Sequence, residues 1–69
     1  MGIEDIADRL ESIAEELDDL VIDQLRTATR RVAAGDDLDP EVLKEERRIA
    51  RARRAVSKAA AILRPPELE

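Results

Sequence analysis

Ile3, Ile6, Leu10, Ile13, Leu17 and Leu20 step along the start of the chain at intervals of 3, 4, 3, 4 and 3 residues. An α-helix turns once in about 3.6 residues, so this spacing lays an apolar edge along a helix, whereas a strand would need alternation. Residues 3 to 34 contain no Pro or Gly, and helix 1 is expected from about Ile3 to Ala34. Beyond Leu17 the edge continues as Val21, Leu25, Ala28 and Val32. Its two consecutive steps of four read as a stutter that locally unwinds a left-handed supercoil. Leu20, Val21 and Ile22 are consecutive aliphatics. They widen the apolar arc to roughly 200°, more than one neighbouring helix covers.

Gly35 follows Ala33 and Ala34 where a left-handed residue would end the helix, and Asp39-Pro40-Glu41 reads as N-cap, N1 and N2 of the next one. Leu38 and Leu43 stand at the two positions of a hydrophobic staple. Helix 2 is expected from Pro40 to about Arg64. It carries Val42, Ile49, Val56 and Leu63 every seventh residue, with Ala52, Ala59 and Ala60 beside them, and Pro65-Pro66 stop it. So short a connection, residues 35 to 39, makes the helices antiparallel neighbours. The expected fold is an all-α antiparallel helical hairpin forming a single domain over residues 1–69, with a Pro-Pro tail at 65–69. Leu68-Glu69 is the dipeptide often left before an affinity tag and carries no functional weight. Folding symmetrically about the turn sets Val32 opposite Val42, Leu25 opposite Ile49, Leu17 opposite Val56 and Leu10 near Leu63 or Arg64.

A hairpin alone leaves each apolar stripe half open to water, and Ile3 and Ile6 project past the end of helix 2. A chain of this size buries only about 60% of the surface its unfolded form exposes. With no Cys and no His, neither a disulfide nor an ordinary zinc site offsets that deficit. The expectation is therefore a homo-oligomer, a dimer being favoured, in which two hairpins form a four-helix bundle. Its interface is assigned to Ile3, Ile6, Leu10, Ile13, Leu17, Leu20, Val21, Ile22 and Leu25 of helix 1 and to Val42, Ile49, Val56 and Leu63 of helix 2. A larger oligomer or a complex with a protein hetero-partner is the runner-up.

The same missing residue types narrow the chemistry. Without Cys, His or Tyr there is no thiol nucleophile, imidazole base or phenol, so no catalytic residue is nominated and no enzyme, cofactor or metal is expected. Glu15-Glu16-Leu17-Asp18-Asp19 resembles half of the magnesium-binding pattern of helical nucleotide pyrophosphatases, but the second half, Glu-x-x-Asp on a later helix, is absent. Asp36-Asp37-Leu38-Asp39 lacks the length, Gly and terminal Glu of a calcium loop. No stretch approaches the ~18 apolar residues of a membrane span and the N-terminus is acidic, so neither membrane association nor a signal peptide is expected. Absent cysteines fit the cytoplasm, and the Ala, Arg, Asp, Glu, Leu and Val bias fits a bacterial gene of high GC content.

Charge divides the hairpin. Residues 1 to 25 carry nine acidic side chains and one basic, a local net of −8, while residues 43 to 64 carry eight basic and two acidic, a net of +6. Opposed helices favour the antiparallel arrangement. Glu45, Glu46 and Arg53 sit at the margin of the seam, where Arg26 or Arg30 are expected to pair with the glutamates and Asp18 with Arg53. Lys44, Arg47, Arg48, Arg51, Arg54 and Lys58 gather on the outer face of helix 2, a candidate anion-binding face. Nucleic-acid binding through that face is the alternative function. It is disfavoured by the chain's net charge of −5 and by the lack of any aromatic to stack on a base.

From Leu25 to Leu63, the Gly-containing turn and Arg-rich second helix resemble a helical-hairpin protein of the large ribosomal subunit, a family whose strong basic charge holds RNA; this chain is acidic. Gly35-Asp36-Asp37-Leu38-Asp39-Pro40-Glu41 is similar to the turn of the exonuclease VII small subunit, although helix 1 here is longer between its aliphatic repeat and that glycine. Neither resemblance transfers a functional residue. The expected function is a small protein–protein interaction or assembly module.

Overall fold

The computed structural model describes residues 1–65 and contains two helices, α1 (Ile3–Ala33) and α2 (Pro40–Leu63), packed against each other as a hairpin 54 Å long. Pro66, Leu68 and Glu69, named above in the tail, lie outside the described residues.

Local chemistry sets each helix end. At the start of α1 the Gly2 amide donates to Asp5 Oδ2 at 2.9 Å, and Glu4 and Asp5 in the first turn suit the positive end of the helix dipole. At its other end the Gly35 amide donates to the Val32 carbonyl at 3.0 Å and the Asp36 amide to the Arg31 carbonyl at 2.9 Å. This pair of bonds is a Schellman motif, and it needs a left-handed residue that Gly35 supplies at φ 101°. Asp39 then accepts the Glu41 amide on Oδ1 at 2.9 Å, with Pro40 as the first helical residue. α2 ends at Leu63 because Pro65 drives Arg64 into extended backbone, φ −76° and ψ 140°. Leu38 and Leu43 both stay exposed, so the expected staple buries neither of them.

The seam between the helices differs from the one the aliphatic edge suggested. Its buried members are Ala7, Ala14 and Ala28 of α1 and Ala60 of α2. Leu10, Leu17, Val21 and Gln24 are half-buried between those α1 alanines, and Val42, Ile49, Val56 and Leu63 are half-buried on α2. On α1 these positions run 7, 10, 14, 17, 21, 24 and 28, an unbroken alternation of 3 and 4. The expected stutter is therefore absent from the packed seam. It arose from passing over the polar Gln24, which occupies a seam position.

The register also shifts from the symmetric one. Val42 shares a cleft with Ala28 rather than Val32, and Ile49 lies beside Leu17 and Val21 rather than Leu25. The displacement is about one helical turn. Asp36 to Asp39 run back alongside Thr27, Ala28 and Arg31, so α2 begins level with an earlier turn of α1. This register meets the seven-residue run Ala7, Ala14, Val21, Ala28 with the seven-residue run Leu63, Val56, Ile49, Val42, and a small residue stands at the level of a large one in all but the Val21 layer. Small-against-large layers let the two helices approach and interdigitate without leaving voids.

Candidate functional site

The helices come together on alanine, and the large aliphatics remain outside. No large side chain of the described residues is fully buried, and Ile6, Ile13 and Leu20 are 42%, 42% and 44% exposed. Of the thirteen residues assigned to an interface, Leu10, Leu17, Val21, Val42, Ile49, Val56 and Leu63 are half-buried in the hairpin's own seam. Ile3, Ile6, Ile13, Leu20, Ile22 and Leu25 are exposed.

Helical spacing sorts the exposed set into two faces. Ile6, Ile13 and Leu20 each precede a seam residue and so flank the seam on one side; Leu25 and Val32 stand four residues after one and flank it on the other, with Ile22 beside them. Leu20 shares a shallow cleft with Ala52 and Arg48, which places those α2 residues on the first face. Ile22 shares one with Ala50, Arg53 and Arg54, on the second.

Cross-helix charge pairs lie only on the second face among the described residues. Arg53 Nε is 3.1 Å from Asp18 Oδ1, the expected pairing. The Arg64 guanidinium reaches Asp8 and Glu11, with Nη2 2.7 Å from a carboxylate oxygen of each. Its hydrogen bonds to Asp8 first and to Glu11 second raise its pKa above the ordinary arginine value, so the group stays cationic throughout the working pH range. The expected pairing of Glu45 and Glu46 with Arg26 or Arg30 is not formed among the described residues. Glu45 lies on the flank of Leu20 and Gln24, whereas Arg26 and Arg30 lie with Ile22 and Leu25 on the other flank, out of its reach.

Two further features complete the surface. An open cleft of about 420 Å³ at the turn end is lined by Asp23, Gln24, Thr27, Arg31, Asp36, Asp37 and Asp39 with Glu45 across from them. Gln24 Oε1 is buried there without a hydrogen-bond partner among the described residues. Lys44, Arg47, Arg51 and Lys58 are exposed on the outer side of α2, Arg48 and Arg54 are exposed on its two flanks, and of these six Lys44 alone pairs, with Glu41 at 3.4 Å, among the described residues. No group of three or more potential metal ligands forms among the described residues, so Glu15, Glu16, Asp18 and Asp19 are not gathered into a site. No helix among them is long and apolar enough to cross a membrane.

Sequence reasoning missed Ala7 and Ala14, two of the three alanines that close the α1 side of the seam. Their signal was the strict seven-residue run of small residues through Ala28, hidden beneath the louder isoleucine and leucine pattern. No known protein family, curated protein or solved structure matches this chain.

Proposed function

We propose that this hairpin is a protein–protein interaction and assembly module that completes its hydrophobic core by self-association, two hairpins forming a four-helix bundle in the bacterial cytoplasm. One observation carries the reading: four alanines are the whole buried core of the described residues, while Ile3, Ile6, Ile13, Leu20, Ile22 and Leu25 stay in water. Burying an exposed large aliphatic contributes about 1.5 to 3 kcal/mol, and the hairpin forgoes much of that gain at each of these positions. An antiparallel bundle of four helices supplies the missing covering layer.

Absolute mass by light scattering on a sizing column, from high to low micromolar, tests the reading. A mass near twice 7.7 kDa supports it. A helical monomer over the whole range overturns it. Ile13→Asp with Leu20→Asp changes only exposed positions, so this double variant is expected to lose assembly first and helicity as a consequence.

A second reading is favoured by Arg47, Arg48, Arg51, Arg54 and Lys58, which are exposed and form no ion pair among the described residues. These form a stripe that would follow a phosphate backbone. Binding to duplex or single-stranded nucleic acid that weakens steeply with salt, and is lost when Arg47, Arg51 and Arg54 become Glu, would establish it. No binding at low salt eliminates it.

A further inference from the structure

We infer that a second copy of this chain docks on the face made by Ile6, Ile13 and Leu20 of α1 with Ala52, Ala59 and Ile62 of α2, about a two-fold axis parallel to the helices. In that arrangement α1 of each copy lies on α2 of the other. The inference rests on the self-association proposed above and adds which face is used and how the copies are turned.

Charge selects the face. Asp18–Arg53 and the Asp8, Glu11 and Arg64 cluster occupy the opposite flank, since Glu11 and Asp18 stand four residues beyond Ala7 and Ala14. Covering that flank would strip water from formed ion pairs, which costs more than their attraction returns unless the geometry is close to ideal. The Ile6, Ile13 and Leu20 face carries no cross-helix ion pair among the described residues.

Shape and charge together select the axis. α1 offers long side chains on this face, and α2 offers Ala52 and Ala59 next to the seam. Stacking α1 on α1 would set isoleucine against isoleucine and leave alanine against alanine over a void. Stacking α1 on α2 sets Ala52 and Ala59 near the levels of Leu20 and Ile13, as in the small-against-large layers of the hairpin itself, and Ile62 near Ile6 at the open end. It also sets residues 1 to 25, net −8, over residues 43 to 64, net +6, where the alternative stacks like charges. A two-fold parallel to the helices preserves height along them. Arg48 lies level with Leu20 and Gln24, so Asp23 of one copy meets the partner's Arg48. Neither has an ion-pair partner among the described residues of its own hairpin. A hairpin 54 by 23 Å presents a face on the order of 1,000 Å², enough for the ~800 Å² per partner of a stable interface.

The chain has no cysteine, so engineered ones report cleanly. Asp23→Cys and Arg48→Cys, made in separate chains and mixed, are expected to form a mixed disulfide quickly, and neither variant to cross-link to itself. Glu16→Cys or Leu20→Cys alone stays unlinked, because diagonal helices of a bundle lie beyond the ~7 Å Cα limit of a disulfide. Charge reversal gives a second reading. Asp23→Arg or Arg48→Asp alone weakens dimerisation by up to roughly tenfold with helicity kept, and the two in one chain restore it. Self-linking at Glu16→Cys or Leu20→Cys, or linking of Ile22→Cys with Arg47→Cys instead, overturns this face or axis while leaving a dimer. A monomer by light scattering overturns the self-association beneath it.

Discussion

Arg53 of α2 directs its Nε to Asp18 of α1 at 3.1 Å, joining residues 35 apart in sequence across the middle of the hairpin. Both side chains are about half exposed, so water and salt screen the pair. The bond fixes register more than it adds stability. Asp18→Asn is expected to cost less than about 1 kcal/mol in urea denaturation at low salt, and the difference to vanish in ~1 M NaCl. A loss that persists at high salt would show that the pair is not a screened surface contact.

Ala14 occupies the seam where the helices approach, and it is buried. Ala14→Leu inserts three carbon atoms without harming helix propensity, and it is expected to destabilise the fold by about 1 to 3 kcal/mol through overpacking. Ala61→Leu, at an exposed position of α2, is the control and should leave the melting temperature nearly unchanged. Thermal melts followed by circular dichroism separate the two. Equal melting temperatures would refute the alanine seam.

Gln24 stands where the spacing asks for an apolar residue, and its buried Oε1 accepts no hydrogen bond from the described residues. An unsatisfied buried acceptor costs about 1 to 3 kcal/mol. Gln24→Leu is accordingly expected to raise the denaturation midpoint without changing the fold. A lowered midpoint would mean that the amide forms a bond in solution that the hairpin alone does not provide.

Gly35 holds φ 101° with open space where a Cβ would stand. The penalty for a side chain is thus conformational and not steric contact with neighbours. Gly35→Ala is expected to cost about 1 to 2 kcal/mol, and Gly35→Asn less, because Asn tolerates the left-handed region. Chemical denaturation of the three proteins gives the order; Ala equal to Gly would contradict the Schellman turn.

What the sequence by itself determined was local. The Gly35 stop, the Asp39 cap with Pro40 behind it and the proline after Arg64 each act over a few residues, so two helices and their antiparallel return were legible from spacing and turn chemistry alone. The pairing of Asp18 with Arg53 was legible for a related reason, since opposite charges at the margins of a seam have few other partners. The choice of seam was not. α1 carries two overlapping apolar stripes, Ile3, Ile6, Ile13 and Leu20 on one side and Ala7, Ala14, Val21 and Ala28 beside it, and a hydrophobic pattern favours the larger side chains. Packing favours the smaller ones wherever two backbones come close, because a methyl group fills the gap between helices that an isoleucine would hold open. The tertiary structure thus spent the alanines within the hairpin, moved the register about one turn towards the start of α1 and left the isoleucines facing outward.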